Sequence, residues 1–145
     1  MVAGFLAFGE NMAFQPCDIR DVWSVVRKGL EIVKESTDQQ WIPEDVYSLC
    51  VNKKAFLYMD IDRTPDGFAV FQSQYCEFER ISKFLIWIVY DPVNGTALNY
   101  VDDWENLAKE TGHDAVEFVT PLEGLGRLTK KLGYKKVSSL YRKDI

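Results

Sequence analysis

The segment Phe84-Leu85-Ile86-Trp87-Ile88-Val89-Tyr90 is the longest uninterrupted apolar run in the chain. An amphipathic strand would alternate apolar and polar residues, whereas this one is apolar on both sides, so it belongs in the middle of a sheet covered on both faces. At seven residues it is far short of the roughly 20 that a membrane span requires. The remaining segments must therefore supply two covering layers.

Helical candidates lie on either side of it. Asp18 is placed to cap a helix in which Ile19, Val22, Trp23, Val26, Leu30 and Val33 recur every three or four residues. Ser36 to Gln40 is a polar break, and Pro43-Glu44-Asp45 opens a second helix that ends near Asn52. Ala97 to Thr111 carries Leu98, Val101, Trp104 or Glu105, and Ala108 on successive turns, and Gly112 stops it. Pro121 to Leu132 forms a short helix closed by Gly133.

Strands are expected at Phe14-Gln15-Pro16, Ala55 to Asp60, Gly67 to Gln74, Lys83 to Tyr90, Ala115 to Thr120 and Val137 to Arg142. The turn chemistry of Thr64-Pro65-Asp66-Gly67 makes the second and third an antiparallel hairpin. Tyr75 to Ile81 either continues the strand or forms the next turn. Strands and helices alternate in the second half, which implies parallel neighbours joined by right-handed crossovers. One domain over 14–145 accounts for the elements, with 1–13 an extension or edge segment.

Charge and composition remove several functions. The net charge is −5, but residues 127–145 carry seven bases and one acid, a local +6 against −11 for the rest. An acidic body argues against nucleic acid as a partner, because phosphate neutralisation supplies most of that affinity. Three widely spaced cysteines, Cys17, Cys50 and Cys76, and a single histidine, His113, offer neither a zinc cluster nor a catalytic triad. Reduced thiols fit a cytoplasmic location. His113 reads as a solvated loop residue near a helix C-terminus, and no metal or membrane partner is expected.

The order of elements and two local segments resemble the GNAT-type N-acyltransferases. One is Leu128-Thr129-Lys130-Lys131-Leu132-Gly133-Tyr134-Lys135-Lys136-Val137, similar to the family's helix ending, Leu-Gly-aromatic and following strand. The other is the central strand and its exit, Ile88 to Ala97. The resemblance spans about Phe14 to Arg142. It implies an α/β fold with a mixed, centrally splayed sheet and helices on both faces. It also implies a loop that wraps the pyrophosphate of acetyl-CoA with backbone N–H groups at a helix N-terminus.

On that resemblance the cofactor-binding residues are Val89, Asp91, Val93, Asn94, Gly95, Thr96 and Ala97, with Arg127 and Lys130 toward the phosphates. Trp41, between the first two helices, borders the amine acceptor, a small molecule or a protein. The chain departs from the family at two places. Aligned on Gly95 and Ala97, Pro92 occupies the position usually held by Gln or Arg and has no N–H to donate. Thr129 stands where many members carry a general-acid tyrosine, and its alcohol is too weak an acid for that role.

No catalytic residue is assigned. Glu77 and Glu79 lie just upstream of the central strand, within reach of serving through a water. The chain also resembles small bacteriophage proteins of GNAT-like organisation, in size and in Trp41-Ile42-Pro43-Glu44-Asp45-Val46-Tyr47. That implies a phage or host protein as partner, the host cytoplasm or the virion as location, and an assembly module without catalysis as the rival to the transferase. A wedge left open between Lys83–Tyr90 and Ala115–Thr120 favours the transferase. A wedge plugged by Trp87 or Tyr90 favours the module.

Overall fold

The computed structural model describes residues 14–37, 39–60, 64–92, 100–119, 130 and 132–145. The expected extension 1–13, most of the expected helix 121–132 and the loop 93–99 lie outside the described residues. In chain order the elements are β1 (Phe14–Pro16), α1 (Ile19–Thr37), α2 (Pro43–Val51), β2 (Phe56–Asp60), β3 (Thr64–Cys76), β4 (Ile81–Tyr90), α3 (Val101–Glu110) and β5 (Ala115–Phe118). The five strands form one sheet in the order β1-β2-β3-β4-β5. Neighbours are antiparallel except β4 and β5, which run parallel.

Two apolar layers cover the sheet, as the doubly apolar central strand requires. On one face α1 and α2 pack Ile19, Val26, Leu30 and Val46 over Leu57, Met59, Phe68, Val70 and Ile88. On the other, α3 packs Val101, Trp104, Leu107 and Ala108 over Tyr58, Ala69, Phe71, Phe84 and Ile86. No helix among the described residues is long and apolar enough to cross a membrane.

Local chemistry sets the element ends. The Arg20 N–H donates to Asp18 Oδ1 at 3.0 Å, which caps α1, and the Arg20 guanidinium also grips that carboxylate. That grip holds the Asp18 carboxyl down to about 2. At α2 the Asp45 carboxylate accepts the Ile42 N–H at 2.9 Å, one half of a capping box. Ile42 has no side-chain oxygen to complete it. The ambiguous stretch Tyr75 to Ile81 divides: β3 runs through Cys76, Glu77–Arg80 turn, and the Arg80 N–H closes the turn on the Cys76 carbonyl at 2.7 Å. Gly112, at φ +80°, ends α3 as expected.

One expected strand is absent. Val137 to Arg142 makes no ladder with the sheet, and every residue from Lys135 to Ile145 is exposed. Its β-forming residues satisfy a local preference, but a strand forms only where it pairs, and beyond Tyr134, whose ring meets Phe118, these residues join no ladder.

Two buried contacts fix the layers to the sheet. Gly29, on the inner face of α1, lies so close to the Phe68 and Tyr90 rings that a Cβ there would sit 2.5 Å from Phe68 Cε2 and 2.7 Å from Tyr90 Cδ2. At the other face the Tyr100 hydroxyl, beside the start of α3, donates to Asp60, which is fully buried at the end of β2. Gly29→Val therefore lowers stability by about 2 kcal/mol through overpacking. Tyr100→Phe lowers it by about 1–3 kcal/mol, because a buried acceptor loses this donor. Urea unfolding of the two variants checks both values.

Candidate functional site

The site is built around an irregularity in β4. Going from β3 to β4, Val70 pairs with Ile88 but Phe71 pairs with Ile86, so Trp87 is an extra residue opposite no partner. Such a bulge reverses the facing of everything beyond it. Phe84 and Ile86 face α3, Trp87 and Ile88 both face α1 and α2, and then Val89 returns to the α3 side and Tyr90 to the α1/α2 side.

The described β4–β5 ladder ends at the same place. β4 and β5 pair over four positions, from Lys83↔Ala115 to Ile86↔Phe118. β4 continues to Tyr90, so among the described residues its last four, Trp87 to Tyr90, have no β5 partner. Along that edge no described residue of β5 pairs with the β4 backbone. Ionic contact holds the paired half together: Lys83 Nζ lies 3.3 Å from Glu117 on β5, and that carboxylate raises the Lys83 ammonium above its ordinary value.

Neither aromatic residue named as a plug crosses toward β5. Trp87 packs edge-on against Trp41, with ring centroids 6.3 Å apart, and Tyr90 tilts over Phe68 at 5.4 Å. Both are committed to the α1/α2 layer. Trp41 thus stands beside the bulge, in a layer extended by the Trp23–Tyr47 pair at 4.8 Å.

The other sequence candidates distribute as follows. Val89 packs against the α3-side cluster, and Asp91 follows directly on β4, half-buried. Lys130 is exposed. Val93, Asn94, Gly95, Thr96, Ala97 and Arg127 lie outside the described residues, as does Thr129. Pro92, the departure from the family loop, is exposed just beyond Asp91. Glu77 and Glu79 sit in the turn before β4, at the end of that strand remote from Tyr90.

His113 also lies remote from Tyr90, just before β5, whose first residue pairs with Lys83 near the start of β4. It is half-buried rather than solvated. Thr111 Oγ1 donates to the Leu107 carbonyl at 2.7 Å and so accepts from His113 Nδ1 at 2.9 Å; Nε2 then accepts the Ser73 hydroxyl at 2.8 Å. Burial lowers the imidazole below its ordinary value, which favours this neutral form. Cys17, Cys50 and Cys76 carry free thiols, and burial pushes Cys50 up to about 12, so that thiol stays protonated.

Sequence reading missed the bulge, Gly29 and Asp60. Asp60 had a signal: Phe56, Tyr58 and Asp60 share one side of an alternating strand, so an acid at its end falls on the covered face.

No family model and no curated protein matches the chain by sequence. Solved structures do match. A ribosomal-protein-alanine N-acetyltransferase from Brucella melitensis is 13% identical, with a TM-score of 0.66, covering 91% of this chain and 99% of its own. An acetyltransferase from Trypanosoma brucei is 14% identical at a TM-score of 0.64, covering 91% and 98%. A predicted acetyltransferase with acetyl-CoA from Clostridium acetobutylicum is 16% identical at 0.63, covering 90% and 94%. The five-stranded mixed sheet, covered by helices on both faces, has the fold of the GNAT-type acetyltransferases.

Proposed function

We propose that the chain binds acetyl-CoA at the opening beyond Ile86↔Phe118 and transfers the acetyl group to an amine. The observation that carries this reading is the unpaired edge of Trp87–Tyr90, where β4 runs on without β5. An extended acyl-pantetheine arm is a chain of amides, and an uncovered strand edge offers it backbone donors and acceptors. The Clostridium acetobutylicum protein of the same fold, solved with acetyl-CoA, supports the choice of thioester.

A neutral amine attacks the thioester carbonyl carbon, a backbone N–H near Val89 stabilises the developing oxyanion, and the C–S bond breaks to release the CoA thiolate. The amine proton leaves through water. Asn94-Gly95-Thr96, small residues ahead of α3, suit close approach of the pyrophosphate to backbone amides. The acceptor approaches along Trp41, whose indole meets Trp87 at the bulge. Arg127 and Lys130 complement the CoA phosphates.

Calorimetric titration with acetyl-CoA tests the first half of the reading. Wild type binds, and Gly95→Trp weakens binding at least about tenfold, a loss of roughly 1.4 kcal/mol, by filling the place of the pyrophosphate. Absence of binding at millimolar acetyl-CoA overturns the reading and leaves the fold as an interaction module.

Thiol release from acetyl-CoA with a panel of small amines and N-terminal peptides tests the second half. Trp41→Ala raises KM for the accepted amine several-fold while leaving acetyl-CoA affinity unchanged. Equal loss of acetyl-CoA affinity would remove Trp41 from the acceptor side.

A further inference from the structure

At the end of β4 remote from Tyr90, a serine hydroxyl and the chain's one imidazole are held in line. Ser73 lies on β3 opposite Phe84 of β4. Side chains alternate along a strand, and Ala69 and Phe71 face α3, so Ser73 and Tyr75 continue their row. Gly112, at φ +80°, turns the chain back at the end of α3, and the His113 N–H closes on the Ala108 carbonyl at 3.0 Å. This sets the imidazole edge-on against the Phe84 ring, 5.4 Å between centroids, with Ser73 Oγ 2.8 Å from Nε2.

The tautomer follows from the groups behind the ring. Thr111 Oγ1 donates its hydrogen to the Leu107 carbonyl at 2.7 Å, so it receives Nδ1–H at 2.9 Å, and the Ala108 carbonyl lies 3.3 Å from the same nitrogen. Nε2 therefore keeps its lone pair for the Ser73 hydroxyl. A hydroxyl bonded to a base, with the base oriented by a third group, is the arrangement that activates a serine. Access is open as well. Ser73 is exposed, β2 pairs with β3 only as far as Phe71, and Tyr75 on the same face is 61% exposed.

We propose that Ser73 is the nucleophile of a second, esterase-type site that takes the acyl group of small aryl esters, with His113 as general base and Thr111 as its positioning residue. Ser73 Oγ attacks the ester carbonyl carbon while its proton passes to Nε2; the bond from that carbon to the aryl oxygen breaks, and the phenol leaves with the proton. Water then attacks acyl-Ser73 through the same Nε2, which returns a proton to Oγ as the carboxylic acid departs. Asp114, the charged neighbour of His113, favours the imidazolium formed in between, and its own carboxylate is anchored by the Ser82 N–H at 2.8 Å. The Tyr75 ring offers an aryl leaving group a face to stack on.

The full chain with p-nitrophenyl acetate, and no coenzyme, tests this by nitrophenolate release and by mapping the acetyl group on peptides of the quenched protein. The acetyl group is expected on Ser73, and Ser73→Ala abolishes it there. His113→Gln slows acylation of Ser73 at least about a hundredfold, the scale of a lost general base. Thr111→Val slows it several-fold, and Thr111→Ser, which keeps the hydroxyl, restores the rate. Circular dichroism verifies the fold of each variant.

Acetyl groups on lysines with Ser73 unmodified overturn the inference, and so does acylation of Ser73 at the wild-type rate in His113→Gln. Where that variant fails to fold, the Thr111 pair decides: equal rates for valine and serine overturn it. The reaction needs neither acetyl-CoA nor an amine, so its outcome and that of the proposed function are read independently.

Discussion

A strand that is apolar on both faces has to be buried on both, and in this chain that constraint falls on β4. Layers of helix follow from it: α1 and α2 on one side, α3 on the other. The extra residue at Trp87 then determines which side chains each layer receives. Before the bulge the even-numbered residues Phe84 and Ile86 belong to α3; after it, Val89 does. Without the insertion Ile88 and Tyr90 would lose their places over Phe68 and Val70. A change of parity is tolerated because every residue involved is apolar and both destinations are cores.

The bulge coincides with the limit of the β4–β5 ladder, which stops at Ile86. Bulged strands bend and twist more strongly than regular ones, and the ladder's last described pair lies one residue before the extra one. The aromatic rings beyond this point are engaged in the α1/α2 layer, Trp87 with Trp41 and Tyr90 with Phe68.

These facts explain what a reader of the sequence sees and does not see. The covering of β4 on both faces, the buried stripe of α1, the proline opening α2 and the glycine closing α3 all rest on local patterns that the fold keeps, although β3 rather than β4 is the middle strand. The bulge leaves no such trace, because in Phe84 to Tyr90 every residue is apolar and a slip of one position changes nothing in the pattern. Gly29 is invisible for a related reason: it adds no apolar area to the stripe, and its value lies in the side chain it lacks, which lets α1 settle on Phe68 and Tyr90. Val137 to Arg142 shows the converse error. Its composition is that of a strand, but pairing is decided by an edge elsewhere in space.

Residues 91–99, which include most of the segment resembling a pyrophosphate loop, are bracketed in sequence by two tyrosines held on opposite faces of the sheet. Tyr90 is fixed on the α1/α2 side by Phe68 and by the close approach of Gly29. Tyr100 is fixed on the α3 side by Asp60 and by its edge-on contact with Phe14, whose ring centroid is 4.4 Å away. Asp60 is the only polar side chain that the described core buries completely, and it sits at the end of β2 rather than at the opening. Its hydrogen bond thus fixes where α3 begins relative to the sheet. A phosphate-binding turn depends on the placement of a helix N-terminus to within a fraction of an ångström, since backbone N–H donors lose strength steeply with distance and angle. The buried acid at the end of β2 and the glycine under α1 thus hold Tyr100 and Tyr90, the residues on either side of 91–99, each against its own face of the sheet.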